Sequence, residues 1–106
     1  MTDLLKSLWI STRHLHRRFG VELTPRSRID KFNEECLEFA EAARPSTAPD
    51  AVAEELVDVI VTGIGVLMSL GIAPSKLESA ILAVIKKNDA KSDQTHRVVN
   101  NKIVRR

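Results

Sequence analysis

Two short acidic patterns are the part of this chain best suited to chemistry. The first is Glu-Glu-Cys-Leu-Glu at 34–38, and the second is Glu-Glu-Leu-Val-Asp at 54–58. Carboxylates three positions apart on a helix lie on one face, ~4.5 Å apart along the axis, and can act as a chelating pair. The two pairs are Glu35 with Glu38 and Glu55 with Asp58. Ligation by oxygen alone selects Mg²⁺ or Mn²⁺ over zinc.

The segment at 44–49, Arg-Pro-Ser-Thr-Ala-Pro, is typical of a break between two helices. The two pairs lie symmetrically about it. Antiparallel helices in contact run ~8–10 Å apart, so Glu35 is expected to face Asp58 and Glu38 to face Glu55. Four partly buried carboxylates would repel one another by roughly a few kcal/mol without a cation. We therefore predict a Mg²⁺ site, with Mn²⁺ as an alternative ion; the competing interpretation is a set of solvated surface acids.

The elements that position these acids follow from apolar periodicity and from helix start and stop residues. Gly20 is a stop for the first helix, and Thr24-Pro25 is an N-cap followed by proline at the first helical position. The predicted fold is an all-α four-helix bundle. The predicted helices cover about 2–19, 25–43, 50–70 and 74–91.

The C-terminal tail differs in kind from the rest of the chain. Residues 97–104 place β-branched residues on both sides of Asn100-Asn101, a pair that tolerates the positive φ of a tight turn. A short β-hairpin is predicted there, with an extended or disordered basic tail as the alternative. The whole chain, 1–106, is predicted to be one domain with a helical core over about 2–92 and a tail over 93–106.

Charge is distributed unevenly, although the net charge is only +2. Residues 1–31 carry seven basic and three acidic groups. Residues 32–85 carry two basic and nine acidic groups, and residues 86–106 carry seven basic and two acidic groups. An acidic centre between basic ends suits a metal bound to a polyanion such as a nucleotide polyphosphate, although solvated surface charge is the simpler interpretation. The aromatic content of 4% and the acidic centre disfavour a nucleic-acid partner.

The apolar third helix also raises the questions of membrane insertion, cellular location and oligomeric state. The run 56–73 is apolar but interrupted by Asp58, so a buried helix is predicted and not a membrane span. The single cysteine, Cys36, and a start without a signal-peptide pattern are consistent with the cytoplasm. One small chain is not expected to cover the whole apolar circumference of this helix, so a homodimer or homotetramer is predicted. The apolar residues concerned are Val57, Ile60, Val61, Ile64, Val66, Leu67 and Met68.

Three further side chains in the first helix have two interpretations each. Trp9 could stack on a base, but a core tryptophan is the preferred interpretation. His14 and His16, which stand among arginines, could reach a phosphate, but solvated side chains are preferred for both.

The double pattern Glu-Glu-x-x-Glu and Glu-x-x-Asp resembles that of the MazG-like all-α nucleotide pyrophosphohydrolases, over residues 25–92. This resemblance implies that Glu35, Glu38, Glu55 and Asp58 bind Mg²⁺. It also implies that a basic-Asn-basic element on the last core helix contacts the substrate phosphates. The matching residues are Lys87, Asn88 and Lys91.

The implied reaction is hydrolysis of a nucleoside triphosphate between the α and β phosphorus atoms, giving a monophosphate and pyrophosphate. Glu34 or Glu54, just outside the chelating pairs, could orient or deprotonate the attacking water. The nearest alternative is an enzyme like the phosphoribosyl-ATP pyrophosphohydrolases. A non-catalytic helical module that binds nucleotide or nucleic acid, and a catalytically silent helical oligomer, are the alternatives from other classes.

Overall fold

Helix boundaries lie where the sequence supplies caps and turns. In the computed structural model, which describes residues 2–106 apart from the side chain of Thr2, α1 spans Thr2–Arg18, α2 Pro25–Ala42, α3 Pro49–Ser69 and α4 Pro74–Asp89. Thr24 caps α2, because its hydroxyl oxygen accepts a hydrogen bond from the Ser27 amide at 3.2 Å. Gly20, just after α1, has a φ of +60°, a conformation that favours glycine. The four predicted helices are confirmed.

The chain divides into two compact units, Met1–Pro74 and Ser75–Arg106. The first, called the N-terminal unit, contains α1, α2 and α3. The second, called the C-terminal unit, contains nearly all of α4 and the β-hairpin described below. The prediction of a single domain over 1–106 stays a prediction.

Helices α2 and α3 of the N-terminal unit form an antiparallel pair. A Cβ built on Gly63 would lie 3.5 Å from the Phe32 ring, and one built on Gly65 would lie 3.5 Å from Arg28 Cδ. The higher-numbered position of α3 thus contacts the lower-numbered residue of α2, as expected for two antiparallel helices. The Gly65 position also lies 3.2 Å from His16 Cε1. Gly63 and Gly65 therefore allow α3 to approach α2 and α1 of the same chain closely.

The core of the N-terminal unit lies between α1 and α3. Trp9 is 2% exposed and Ile64 is 1% exposed, so the interpretation of Trp9 as a core residue is confirmed. His14 is exposed as expected, but the solvated interpretation of His16 is wrong, because that side chain is buried. The reason is helical spacing: Trp9, Thr12 and His16 recur at intervals of three and four residues and share the packed face of α1.

The tail of the C-terminal unit forms the predicted antiparallel hairpin, with β1 at His96–Val99 and β2 at Lys102–Arg105. Asn100 and Asn101 form its turn with φ values of 51° and 61°, which asparagine adopts more readily than other non-glycine residues. The Arg106 amide donates to the Thr95 carbonyl at 2.9 Å and closes the open end of the hairpin.

Apolar side chains remain exposed in both units. Leu4 of α1 is 81% exposed and, with Val57 and Ile60 of α3, lines an apolar cavity of about 590 Å³. Helix α4 has no buried residue, and its Leu82 is 60% exposed. Across residues 2–106, no helix combines the length and apolar character needed to cross a bilayer.

Candidate metal centre

Three of the four predicted ligands converge where α2 faces α3. One carboxylate oxygen each from Glu35, Glu55 and Asp58 lies within 4.8 Å of the other two. Glu35 comes from the middle of α2, and the other two come from successive turns near the start of α3. The fold-back at 44–49 therefore brings carboxylates more than fifteen positions apart in sequence into one cluster. These three residues are called the acidic cluster below.

Burial is what distinguishes the acidic cluster from ordinary surface acids. Glu35 is only 8% exposed, and its Oε2 has no hydrogen-bond partner. Glu55 is half-buried, and its Oε2 is also buried without a partner. Burying a carboxylate oxygen without a hydrogen bond is unfavourable. Glu35 and Glu55 thus each keep one buried oxygen that no hydrogen-bond donor among the described residues contacts.

Glu38, the fourth predicted ligand, lies at the edge of the acidic cluster and not within it. Its side chain is exposed, one turn along α2 from Glu35. The pKa of Glu38 is raised, first by the short-range interaction of its side chain with the Glu35 carboxyl group and then by the negative charge of Glu35, with smaller effects from burial and from Glu34 and Glu55. Glu38 therefore shares the electrostatic environment of the acidic cluster, and a cation bound there would favour its charged form.

Lys31 is a member of this site that sequence reasoning missed. Its ammonium nitrogen lies 3.2 Å from Glu35 Oε1 and 3.4 Å from Glu34 Oε1. These contacts raise the pKa of Lys31, the hydrogen bond to Glu35 being the largest cause, although partial burial acts in the opposite direction. The spacing of four residues from Lys31 to Glu35 on one helix was the available signal. The site thus contains one cation of its own, which satisfies one oxygen of Glu35 and leaves the other free.

The acidic cluster fits a hard divalent cation. Mg²⁺ takes oxygen ligands at ~2.0–2.1 Å, so two oxygens on opposite sides of one ion are ~4.2 Å apart. The oxygens of Glu35, Glu55 and Asp58 lie within 4.8 Å of one another, a spacing close to that value. Mg²⁺ is commonly held by one or two carboxylates together with water and substrate phosphates. Glu35, Glu55 and Asp58 would hold such an ion, with Glu38 as a further ligand.

The two predicted water-activating residues have different surroundings. Glu34 is exposed and paired with Lys31, whereas Glu54 is exposed with no ion pair among the described residues. Both precede a member of the acidic cluster in sequence, and α-helical geometry turns each about 100° away from it. Neither belongs to the group of converging carboxylates.

The predicted phosphate-binding residues belong to the C-terminal unit. Lys87 and Asn88 end α4, and Lys91 follows it. The Lys91 ammonium donates a hydrogen bond to Asn88 Oδ1 at 3.0 Å, so the structure brings these two side chains together. Lys87 also lies beside Lys91 in a cavity described below.

Comparison with known proteins gives no relative from which a role could be transferred. No protein family, no curated protein and no solved structure matches this chain. The geometry of its own side chains is therefore the basis for assigning a function.

Proposed function

We propose that this protein is a Mg²⁺-dependent nucleoside triphosphate pyrophosphohydrolase, which cleaves (d)NTP between the α and β phosphates. One observation carries the proposal: Glu35, buried and with Oε2 unpartnered, meets Glu55 and Asp58 across the α2–α3 pair. Lys31 pairs with one oxygen of Glu35, but a buried carboxylate oxygen left without a partner is unfavourable, and a bound cation would remove that cost. The same residues are those that the MazG-like resemblance assigns to Mg²⁺.

In the proposed reaction, a water oxygen bonds to the α phosphorus and the bond from that phosphorus to the bridging oxygen breaks. The water loses a proton, and the products are a nucleoside monophosphate and pyrophosphate. Mg²⁺ would neutralise phosphate charge and lower the pKa of bound water. Glu35, Glu55 and Asp58 would hold the ion, with Glu38 beside them. Glu54 or Glu34 would orient the water and accept its proton.

Recognition of the triphosphate is assigned to Lys87, Asn88 and Lys91. Lysine ammonium groups act as point charges for phosphate oxygens, and an asparagine amide adds a directional donor. Asn88 uses its Oδ1 to accept from Lys91, which leaves the amide nitrogen available to donate. Base and sugar recognition has no assigned residue.

The decisive experiment measures pyrophosphate release from a panel of NTPs, dNTPs and phosphoribosyl-ATP with Mg²⁺. Glu35→Gln, Asp58→Asn and Glu38→Gln remove a charge at the acidic cluster, and Glu41→Gln, exposed on the same helix, is the matched control. Loss of a metal ligand is expected to reduce the rate ~100-fold or more, whereas Glu41→Gln should retain it. No release from any nucleotide, or equal rates in Asp58→Asn and the wild type, would overturn the proposal. Turnover of phosphoribosyl-ATP alone would favour the biosynthetic alternative.

We also propose that the enzyme is a homo-oligomer. The support is the apolar surface formed by Leu4, Val57 and Ile60, together with the exposed apolar residues of α4. Exposed apolar area of this kind is typical of a protein–protein contact. Light scattering should give a dimer or tetramer mass; a monomer at micromolar concentration would contradict the assignment.

A further inference from the structure

The C-terminal unit carries an excess of cations that no carboxylate neutralises. Within 75–106 there are eight lysines and arginines against three aspartates and glutamates. Among residues 2–106, ion pairs within 4.0 Å are made by Lys31 alone, so none of these eight cations has a carboxylate partner at that distance. Like charges gathered on one small unit repel each other unless an anion lies among them.

Four cationic or titratable side chains of this unit line one small cavity. The hairpin register pairs His96 with Arg105 directly across the two strands. Lys87 and Lys91 come from the end of α4 and the residues just after it. Together with Ala90 and Thr95, these four residues line a cavity of about 250 Å³ with no acidic residue in its wall. The cavity is large enough for a phosphate or pyrophosphate group, and its charged lining is entirely cationic.

His96 is held in a defined orientation within this cavity. Its Nδ1 lies 2.6 Å from the Thr95 hydroxyl oxygen. That hydroxyl donates to the Ser92 carbonyl at 3.2 Å and is therefore available to accept from His96 Nδ1–H. Nε2 is then free for a ligand. Burial lowers the pKa of His96, and the positive charges of Lys91, Arg105 and Lys87 lower it further, which shows that these groups act on one another electrostatically.

We propose that Lys87, Lys91, His96 and Arg105 form a phosphate-binding site to which the hairpin contributes His96 and Arg105. The Arg105 guanidinium can bind two phosphate oxygens at once, and the two lysines supply point charges. His96 donates from Nε2 in its protonated form. The site stands on the charges and geometry of the C-terminal unit alone. Its use on the phosphates of a nucleotide substrate rests on the proposed function.

The test is calorimetric titration of the full chain with inorganic pyrophosphate in the presence of EDTA, so that binding through a divalent metal is excluded. Arg105→Gln and Lys87→Gln should each weaken binding by about tenfold or more, as expected for a charge-assisted hydrogen bond. Lys102→Gln is the matched control, because Lys102 lies on the same strand as Arg105 and outside the cavity. It should change affinity by less than ~2-fold. Equal losses in Arg105→Gln and Lys102→Gln, or no binding by the wild type, would overturn the site.

NMR titration measures how bound pyrophosphate changes the pKa of His96, a change that is not expected if Arg105 has only a structural role. Bound pyrophosphate opposes the cations that lower the pKa of His96, so this pKa should rise on saturation. An unchanged His96 pKa under saturating pyrophosphate would contradict the proposal. Cross-strand contacts between Val98 and Ile103, recorded in the same spectra, establish that the hairpin of Arg105→Gln is folded.

Two further measurements distinguish this phosphate-binding site from the proposed enzymatic activity. Asp58→Asn should bind pyrophosphate without metal as tightly as the wild type, since Asp58 belongs to the acidic cluster. If no nucleotide is hydrolysed but Arg105-dependent pyrophosphate binding is found, the site stands and the enzyme assignment fails.

Discussion

The two units of this chain differ in both burial and charge. The N-terminal unit encloses Trp9 and Ile64 almost completely, and its most unusual side chain is a buried carboxylate, Glu35. The C-terminal unit buries no residue of α4 and concentrates uncompensated cations around the hairpin. The first unit has enough packed apolar surface to hold unfavourable carboxylates in place. The second holds its charged residues by local hydrogen bonds and strand pairing, which constrain a small surface site without a core.

The largest expected effect is on stability and contrasts one apolar residue from each unit. Ile64→Ala should lower the free energy of unfolding by about 2–5 kcal/mol, because it removes buried methyl groups and leaves a cavity. Leu82→Ala, at an exposed position of α4, should change it by less than ~0.5 kcal/mol in an isolated chain. Urea unfolding at several protein concentrations measures both values. A large loss for Leu82→Ala that depends on concentration would show that another subunit covers α4.

The next largest effect is the stabilisation of the protein by Mg²⁺, which should depend on residues of the N-terminal unit alone. At an Mg²⁺ concentration 100 times its Kd, binding to the folded state alone stabilises the protein by about 2.7 kcal/mol. Asp58→Asn should remove most of this increment, since it takes away one of three converging ligands. Lys87→Gln should leave it intact. Thermal unfolding with and without Mg²⁺ measures the shift; equal increments in the wild type and Asp58→Asn would mean that the acidic cluster is not the site.

A smaller effect is expected from the pH dependence of stability, to which the buried His16 contributes. Burial lowers the pKa of His16 below its ordinary value of 6.5, and Arg28 lowers it further. The unfolded chain therefore binds the proton of His16 more tightly than the folded chain. The contribution of His16 to the free energy of unfolding is fully present above pH 6.5 and is lost as the pH falls below that value. His16→Gln should flatten this part of the stability profile, whereas His14→Gln, at an exposed position, should not. Identical slopes in the two variants would contradict the assignment.

The smallest expected effect is at the hairpin turn of the C-terminal unit. Asn101 has a φ of 61°, so Asn101→Gly should stabilise the hairpin by a few tenths of a kcal/mol, roughly the preference for glycine at this turn position. Hydrogen exchange of the strand amides measures the change. The acidic cluster should be unaffected, with the Mg²⁺ increment equal to that of the wild type. Slower exchange in α2 as well would mean that the two units unfold together.

Local signals predicted most of the secondary structure. Thr24 and Pro25 mark the start of α2 because capping depends on a few adjacent atoms, and Asn100-Asn101 marks the turn because positive φ is a property of the residue itself. The convergence of Glu35, Glu55 and Asp58 was also accessible, since it needs only helical spacing and one antiparallel fold-back. Glu38, the fourth carboxylate of that prediction, interacts electrostatically with Glu35 and Glu55, and its role as a ligand stays a prediction.

What the sequence did not predict depends on packing between elements. His16 is buried because α1 turns its Trp9 face towards α3, and the rotation of α1 about its axis is set by all its contacts together. Lys31 is an exception, because its ion pair with Glu35 needs only the spacing of four residues at which side chains on one helix meet. The cavity of Lys87, Lys91, His96 and Arg105 also requires the path of the chain between α4 and β1, which residue types do not determine, whereas the pairing of His96 with Arg105 follows from the two-residue turn.

Lys31 has a consequence for how the acidic cluster exchanges its ion. An ammonium group 3.2 Å from Glu35 partly neutralises the site before any metal arrives, so the folded chain does not need a bound ion to tolerate its buried carboxylate. If the acidic cluster binds a divalent cation as proposed, that ion would compete with Lys31 for Glu35, which would weaken its affinity and allow it to bind and dissociate reversibly. Replacing Lys31 with a neutral residue should therefore give a protein that binds metal more tightly but is less stable without it. Lys31 would thus allow the proposed ion to exchange while the protein stays folded.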